Sequence, residues 1–211
     1  MELSSHNSVA VLAFSASARY PRLTSAVLGE LDELLEEVQG AGLFRGVVIA
    51  ANAQSFATGA EIEEVAAVDG LRAREFAERG QSTCRRIAAF PLPVVAAIRG
   101  YCLGGGLDLA LACHGRVASF DSSFGHPGAA LGLVTGWGGT ERLPRLVGKA
   151  TALQMFLTTE RIPATQALSM GMVDELAPSR DLIPLAAKRA EAVHGVHLAR
   201  LSLHGFESSG L

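Results

Sequence analysis

In the stretch GYCLGGGLDLA, residues 100–110, three consecutive glycines lead into an apolar segment of helical character whose first turn carries Asp108. Glycine is a poor helix former, so its use here needs a reason. A chain that passes through glycine into a helix leaves backbone N–H groups unpaired at the helix start, where an anion can sit. That anion can be a phosphate, or the negative oxygen that develops on a carbonyl during enolate or tetrahedral chemistry. Asp108, three residues beyond Gly105, projects from the same turn and can move a proton on the same ligand. A second loop, FATGAEI (56–62), repeats the device, with Gly59 preceding the amide of Ala60. Two donors from separate segments can converge on one carbonyl oxygen. Phosphate cradles fit less well: GxxxxGK[ST] is absent and GGGLDL lacks the GxGxxG spacing. The alternative for Gly104, Gly105 and Gly106 is close helix packing without a ligand.

Both loops need rigid supports, and the flanking sequence supplies them. SVAVLAF (8–14) has strand length and β-branched content. Thr24 is placed to cap a helix in which Leu28, Leu31, Leu34, Leu35 and Val38 recur at helical spacing, and Gly40 and Gly42 end it. GVVIAA (46–51) and VVAAIRG (94–100) are apolar throughout, as strands buried on both faces are. A long helix is predicted over roughly 70–89, closed by FPLP. Further on, the pattern predicts a short strand at RVAS, helices near 149–158 and 164–170, a strand at MVDEL (172–176), and a last helix from about 181. Strands alternating with helices through short connections define an α/β fold.

With 211 residues, 49% of them hydrophobic and 18% charged, the chain can bury one core of ordinary size. A net charge of -3 and no Lys/Arg block give no field for nucleic acid. Cys84, Cys102 and Cys113 form no CxxC pair and sit among apolar or small residues, as buried thiols in a reducing compartment do. The start has no basic leader, and runs such as LPVVAAI are far too short to cross a bilayer. A cytoplasmic protein without membrane or nucleic-acid partners is the expectation.

SFATGAEI, then PVVAAIRGYCLGGGLDLALAC, then FGHPGAALGLVTGWGGTERLPRLVGKATALQMFLTTERIPATQALSMGMVDEL together resemble the crotonase family, the enoyl-CoA hydratases and isomerases, from about residue 8 to 190. The resemblance implies a crotonase-type α/β fold of repeated ββα units in a superhelical core, with a short C-terminal helical segment. It also implies a homotrimer or dimer of trimers and an acyl-CoA thioester as ligand, with coenzyme A as part of the substrate and no further cofactor or metal. On the family pattern, the oxyanion-hole donors fall on the N–H groups of Ala60 and Gly105. The first of the two hydratase carboxylates falls on Asp108, one methylene shorter than Glu. The second has no counterpart: FGHPGAALG places Gly128 where FGxPE carries Glu. Thr135 and Gly136, near where isomerases hold other carboxylates, have none either. Thr58, Gly59, Glu61, Ile62, Gly104, Gly128, Trp137 and Arg22 are implied around the substrate.

His126 is the candidate substitute for the missing carboxylate, being two residues from Gly128; the competing reading is an imidazole hydrogen-bonded near a sheet end. Trp137 either walls the acyl pocket or packs in the core. Arg19 and Arg22 lie where relatives contact the nucleotide end of coenzyme A, although Arg in a turn is usually just solvated. Glu141 reads as a first-turn acid complementing a helix dipole. His194 and His197 share a helical face without a third ligand and read as surface or interface residues. Residues 1–190 are expected to form the acyl-CoA-binding core, and 191–211 the start of a C-terminal helical region that stops short. Losing a positioned acid or base removes about 10²–10⁴-fold in rate, whereas each oxyanion donor is worth about 10²–10³. The expectation is therefore an acyl-CoA lyase or isomerase of the enoyl-CoA hydratase type that stabilises a thioester enolate. The alternatives are a non-catalytic acyl-CoA-binding homologue, or decarboxylation, thioester hydrolysis or dehalogenation on the same fold.

Overall fold

The computed structural model describes residues 1–61 and 70–193. Its first strands are β1 (Glu2–His6), β2 (Val9–Ala13), β3 (Gly46–Ala50), β4 (Val94–Ile98) and β5 (Tyr101–Leu103). After them come β6 (Gly115–Ser119), β7 (Ser123–Gly125), β8 (Ile162–Pro163) and β9 (Glu175–Ala177). The helices are α1 (Ser25–Ala41), α2 (Gly70–Ala88), α3 (Gly105–Ala112), α4 (Gly139–Val147), α5 (Lys149–Thr158), α6 (Ala164–Ser169) and α7, described over 182–193.

A six-stranded sheet has the order β1-β2-β3-β4-β6-β9, parallel except for β1. Both of its faces are covered, which explains why β3 and β4 are apolar throughout. Leu12, Val47, Ile49, Ala96 and Ile98 pack with Leu28, Leu31 and Leu35 of α1 and with Leu107 of α3. On the other face Val9, Val11, Val48, Val95 and Val117 meet Leu182, Ala186 and Ala190 of α7. A smaller sheet, β5-β7-β8, stands beside it.

The Thr24 cap forms as its position predicts, its Oγ1 accepting from the Val27 N–H at 3.2 Å. Gly40 lies inside α1, and Gly42, with φ 63°, is where the helix ends. Besides β5, β7 and β8, which the sequence pattern does not predict, two elements differ from expectation. The polar MELSSH segment forms β1, an edge strand paired antiparallel with β2 through a turn at Asn7, φ 52°. The strand expected over 172–176 forms at Glu175–Ala177 instead. Asp174 is diverted, its carboxylate accepting from the Arg116 N–H at 2.7 Å and facing the buried Arg116 guanidinium. Ile62, His194, His197 and the 194–211 segment lie outside the described residues. Among the described residues, no helix is long and apolar enough to cross a membrane.

Candidate active site

The two glycine loops are stitched together along β5. The N–H groups of Phe56 and Ala57 both donate to the Tyr101 carbonyl at 3.2 Å, and the Leu103 N–H donates to the Ala57 carbonyl at 2.9 Å. Beyond this ladder each loop turns through a glycine at positive φ, Gly59 at 90° and Gly104 at 53°. Side chains rarely adopt that conformation. The residue after each is one of the two predicted donors, Ala60 and Gly105. A Cβ on Gly59 would stand 3.1 Å from the Gly105 nitrogen, and one on Gly106 would collide with the Ala57 carbonyl oxygen at 2.3 Å. Glycine is therefore required for backbone to touch backbone here, and close packing and donor placement are the same feature. Among the described residues, no backbone hydrogen bond uses the N–H of Ala60 or Gly105 as donor. A third segment fixes the first loop from outside: the Thr58 N–H donates to the Pro21 carbonyl and the Leu23 N–H to the Gly59 carbonyl, each at 2.9 Å. That pairing brings Arg22 to the cavity.

Asp108 sits in the first turn of α3, 1% exposed. Its Oδ2 accepts from the Thr135 hydroxyl and from the Trp137 N–H, the latter at 3.2 Å. Its Oδ1 has no hydrogen-bond partner among the described residues, and it faces His126 Nε2 at 3.8 Å, beyond hydrogen-bond range. A side chain at Gly139 would lie 2.1 Å from that Oδ1, so glycine there leaves room for the carboxylate. His126 is 4% exposed, its ring 5.1 Å from that of Phe156, and neither ring nitrogen has a hydrogen-bond partner among the described residues. The reading of His126 as a hydrogen-bonded imidazole at a sheet end is thus not what the structure shows. Pro127 begins a 3₁₀ turn, Pro127–Leu131, so the extended geometry that would place His126 and Gly128 on one face is lost. His126 instead faces Asp108 directly.

Burial pushes the Asp108 carboxyl up to about 6, against the opposing pull of the Thr135 and Trp137 hydrogen bonds and the Arg142 charge. Burial also lowers the His126 imidazole to about 4. At neutral pH the pair is a carboxylate beside a neutral imidazole. Holding its proton more tightly than the unfolded chain does, Asp108 contributes stability fully present below the unfolded carboxylate pKa of about 4 and lost as pH rises through about 6. His126 has the opposite sign: its contribution is complete above the unfolded imidazole value of about 6.5 and is lost as pH falls through about 4. Asp108→Asn should accordingly melt several degrees above the parent at pH 8, with the gap shrinking by pH 5. A pH-independent gap in melting temperature would contradict the burial penalty assigned to the carboxylate.

Trp137 packs in the core and also borders a cavity. It is 4% exposed and tilted against Phe76 at 5.4 Å. A Cβ on Gly80 or Gly105 would meet its indole at 2.1 or 2.5 Å. The same residue lines a cavity of about 520 Å³. That cavity brings together Arg22, Thr58, Gly59, Ala60, Gly104, Gly105, Asp108, His126, Gly128 and Trp137. Glu61 is half-buried and lies outside the lining, and Ile62 falls outside the described residues. Glu141 pairs with Arg145 at the exposed face of α4, and Arg19 lies over the Tyr20 ring. The apolar wall of Phe76, Leu131, Leu133, Val134 and Phe156 was not anticipated, nor was the Thr135 contact to Asp108. These residues come from four separate segments, and no spacing in the sequence connects them.

Comparison with known proteins shows the family and the fold. The enoyl-CoA hydratase/isomerase family model matches residues 4–201. An enoyl-CoA hydratase from Bacillus anthracis is 29% identical with a TM-score of 0.88, over 99% of this chain and 84% of that one. DspI of Pseudomonas aeruginosa is also 29% identical at TM-score 0.88, over 99% of this chain and 87% of its own. An enoyl-CoA hydratase from Thermoplasma volcanium is 25% identical at 0.87, over 98% and 86%. The chain belongs to the enoyl-CoA hydratase/isomerase family and has the crotonase fold.

Proposed function

We propose that the protein is an acyl-CoA lyase or isomerase of the enoyl-CoA hydratase type, which stabilises a thioester enolate. The observation that carries this is the meeting of two glycine loops whose following amides, at Ala60 and Gly105, have no acceptor among the described backbone groups. Donors fixed before reaction pay no reorganisation as charge develops on the thioester oxygen, which is why such holes are worth about 2.7–4 kcal/mol per donor. Asp108, poised near neutrality, moves the proton at the carbon next to the carbonyl or positions water. His126, uncharged and facing it, assists as a hydrogen-bonding or proton-accepting group. Arg22 meets the anionic part of coenzyme A, which enters as part of the substrate, with no separate cofactor. A homotrimer or dimer of trimers belongs to the same reading, as does a place in the cytoplasm.

Incubation with 2-enoyl, dienoyl and malonyl thioesters of coenzyme A, followed by chromatographic separation and mass spectrometry, is expected to give turnover of the enoyl substrate, read as the mass gain of one added water or as altered elution at unchanged mass on isomerisation. Gly128 favours a second reading, an acyl-CoA-binding homologue without chemistry. Calorimetric binding of coenzyme A with no product from any of these thioesters would select it. Loss of carbon dioxide from the malonyl thioester, or release of free coenzyme A, would move the assignment to decarboxylation or hydrolysis.

A further inference from the structure

We infer that Thr135 is a positioning residue that ties down one oxygen of Asp108, Oδ2, and so assigns proton handling to the other, Oδ1. The inference rests on the proposed function only in taking Asp108 as the proton carrier. Thr135 stands at the cavity wall, half-buried, and its hydroxyl donates to Oδ2 alongside the Trp137 N–H. Two donors on one oxygen leave no lone pair there well placed for a substrate proton. Oδ1 accepts from no described residue, is buried, and faces His126. An ionised carboxylate with one saturated and one open oxygen is asymmetric before any ligand arrives.

The segment holding Thr135 is itself held. Gln81 Nε2 donates to the Gly136 carbonyl at 2.9 Å, and an Arg142 terminal nitrogen to the Trp137 carbonyl at 3.0 Å. The Trp137 indole packs on both Gly80 and Gly105, so the segment that anchors the carboxylate also packs on the glycine that carries one of the two proposed donor amides. The charged and titratable groups around Asp108 are few. His126 faces it after β7, Arg142 acts on it from α4, and the thiols of Cys84 on α2 and Cys102 on β5 lie within its field. Burial raises both thiols far above neutrality, so neither carries charge at working pH. Among the described residues, only the Thr135 side chain donates a hydrogen bond to the carboxylate. Removing its hydroxyl should leave the carboxylate less stabilised as an anion without moving any other charge.

The test is a titration of the Asp108 carboxyl by isotope-edited infrared spectroscopy, assigned with Asp108→Asn, in the parent, Thr135→Val and Thr135→Ser proteins. The carboxyl midpoint is expected to rise by about one pH unit in Thr135→Val and to stay at the parent value in Thr135→Ser. Thr135→Ala, with less bulk, should match Thr135→Val if the hydroxyl rather than the shape of the side chain matters. In an active protein, the acid limb of kcat/KM should move by the same amount while KM stays within twofold. Identical midpoints in the parent and both hydroxyl-less variants would overturn the positioning role. A shifted midpoint in a protein that turns over no thioester would uphold that role and refute the proposed reaction.

Discussion

Replacing Asp108 by Ala is expected to lower kcat/KM for a 2-enoyl thioester by about 10²–10⁴-fold, with the loss in kcat and little change in the affinity for a saturated thioester. Among the described residues, Asp108 is the sole carboxylate lining the cavity, and burial lifts its carboxyl to about 6, where it can both take and return a proton near neutral pH. The proposed oxyanion donors, the Ala60 and Gly105 amides, belong to backbone and survive the substitution, so binding and part of the acceleration should remain. The loss should exceed that of His126→Ala, because His126 makes no hydrogen bond to Asp108 in the free protein. Stability should not fall in parallel. The side chain removed carries a buried charge at neutral pH, so thermal melting separates loss of chemistry from loss of fold. Parent-like kcat in a folded Asp108→Ala protein would remove this residue from the mechanism.

The second large effect runs against helix propensity. Gly106 lies in α3, and in an isolated helix Gly→Ala would be stabilising by about 1 kcal/mol. In the fold, however, the added methyl would stand 2.3 Å from the Ala57 carbonyl oxygen and 2.9 Å from the Ala57 Cβ. Those are atoms of the neighbouring loop, whose carbonyl is already fixed by the Leu103 N–H, so the two segments must separate. Gly106→Ala is therefore expected to destabilise the protein by about 1–3 kcal/mol, as overpacking of a well-filled interior does. It should also reduce turnover by more than tenfold in the fraction that remains folded, since separation moves Ala60 away from Gly105. Denaturant unfolding and single-turnover kinetics on the same preparation check both parts. A variant more stable than the parent and equally active would mean that the loops do not need to touch.

Where a segment's own chemistry decides its structure, the sequence was readable. The apolar runs of β3 and β4, the Thr24 cap of α1 and the paired glycine loops depend on residue type and local spacing, and the fold follows from them. The family pattern pointed to Ala60, Gly105 and Asp108, and all three line one cavity. Features that depend on which distant segments meet were not readable. β1 is polar and forms because β2 offers a free edge. Phe76 and Phe156 reach the cavity only through the packing of α2 and α5 around it, and a threonine at position 135 carries no mark of the carboxylate it holds. His126 lay between these cases. Its residue type suggested proton work, but its direction was set by the turn at Pro127 rather than by local spacing.

The most direct measurement is the carbonyl stretch of a bound, unreactive thioester, butyryl-CoA labelled with carbon-13 at its carbonyl, by difference infrared spectroscopy. If the Ala60 and Gly105 amides both reach that oxygen, the stretch must move to lower wavenumber than in water, because two fixed donors polarise the bond more than solvent does. A saturated complex whose carbonyl absorbs at or above its position in water would contradict the account.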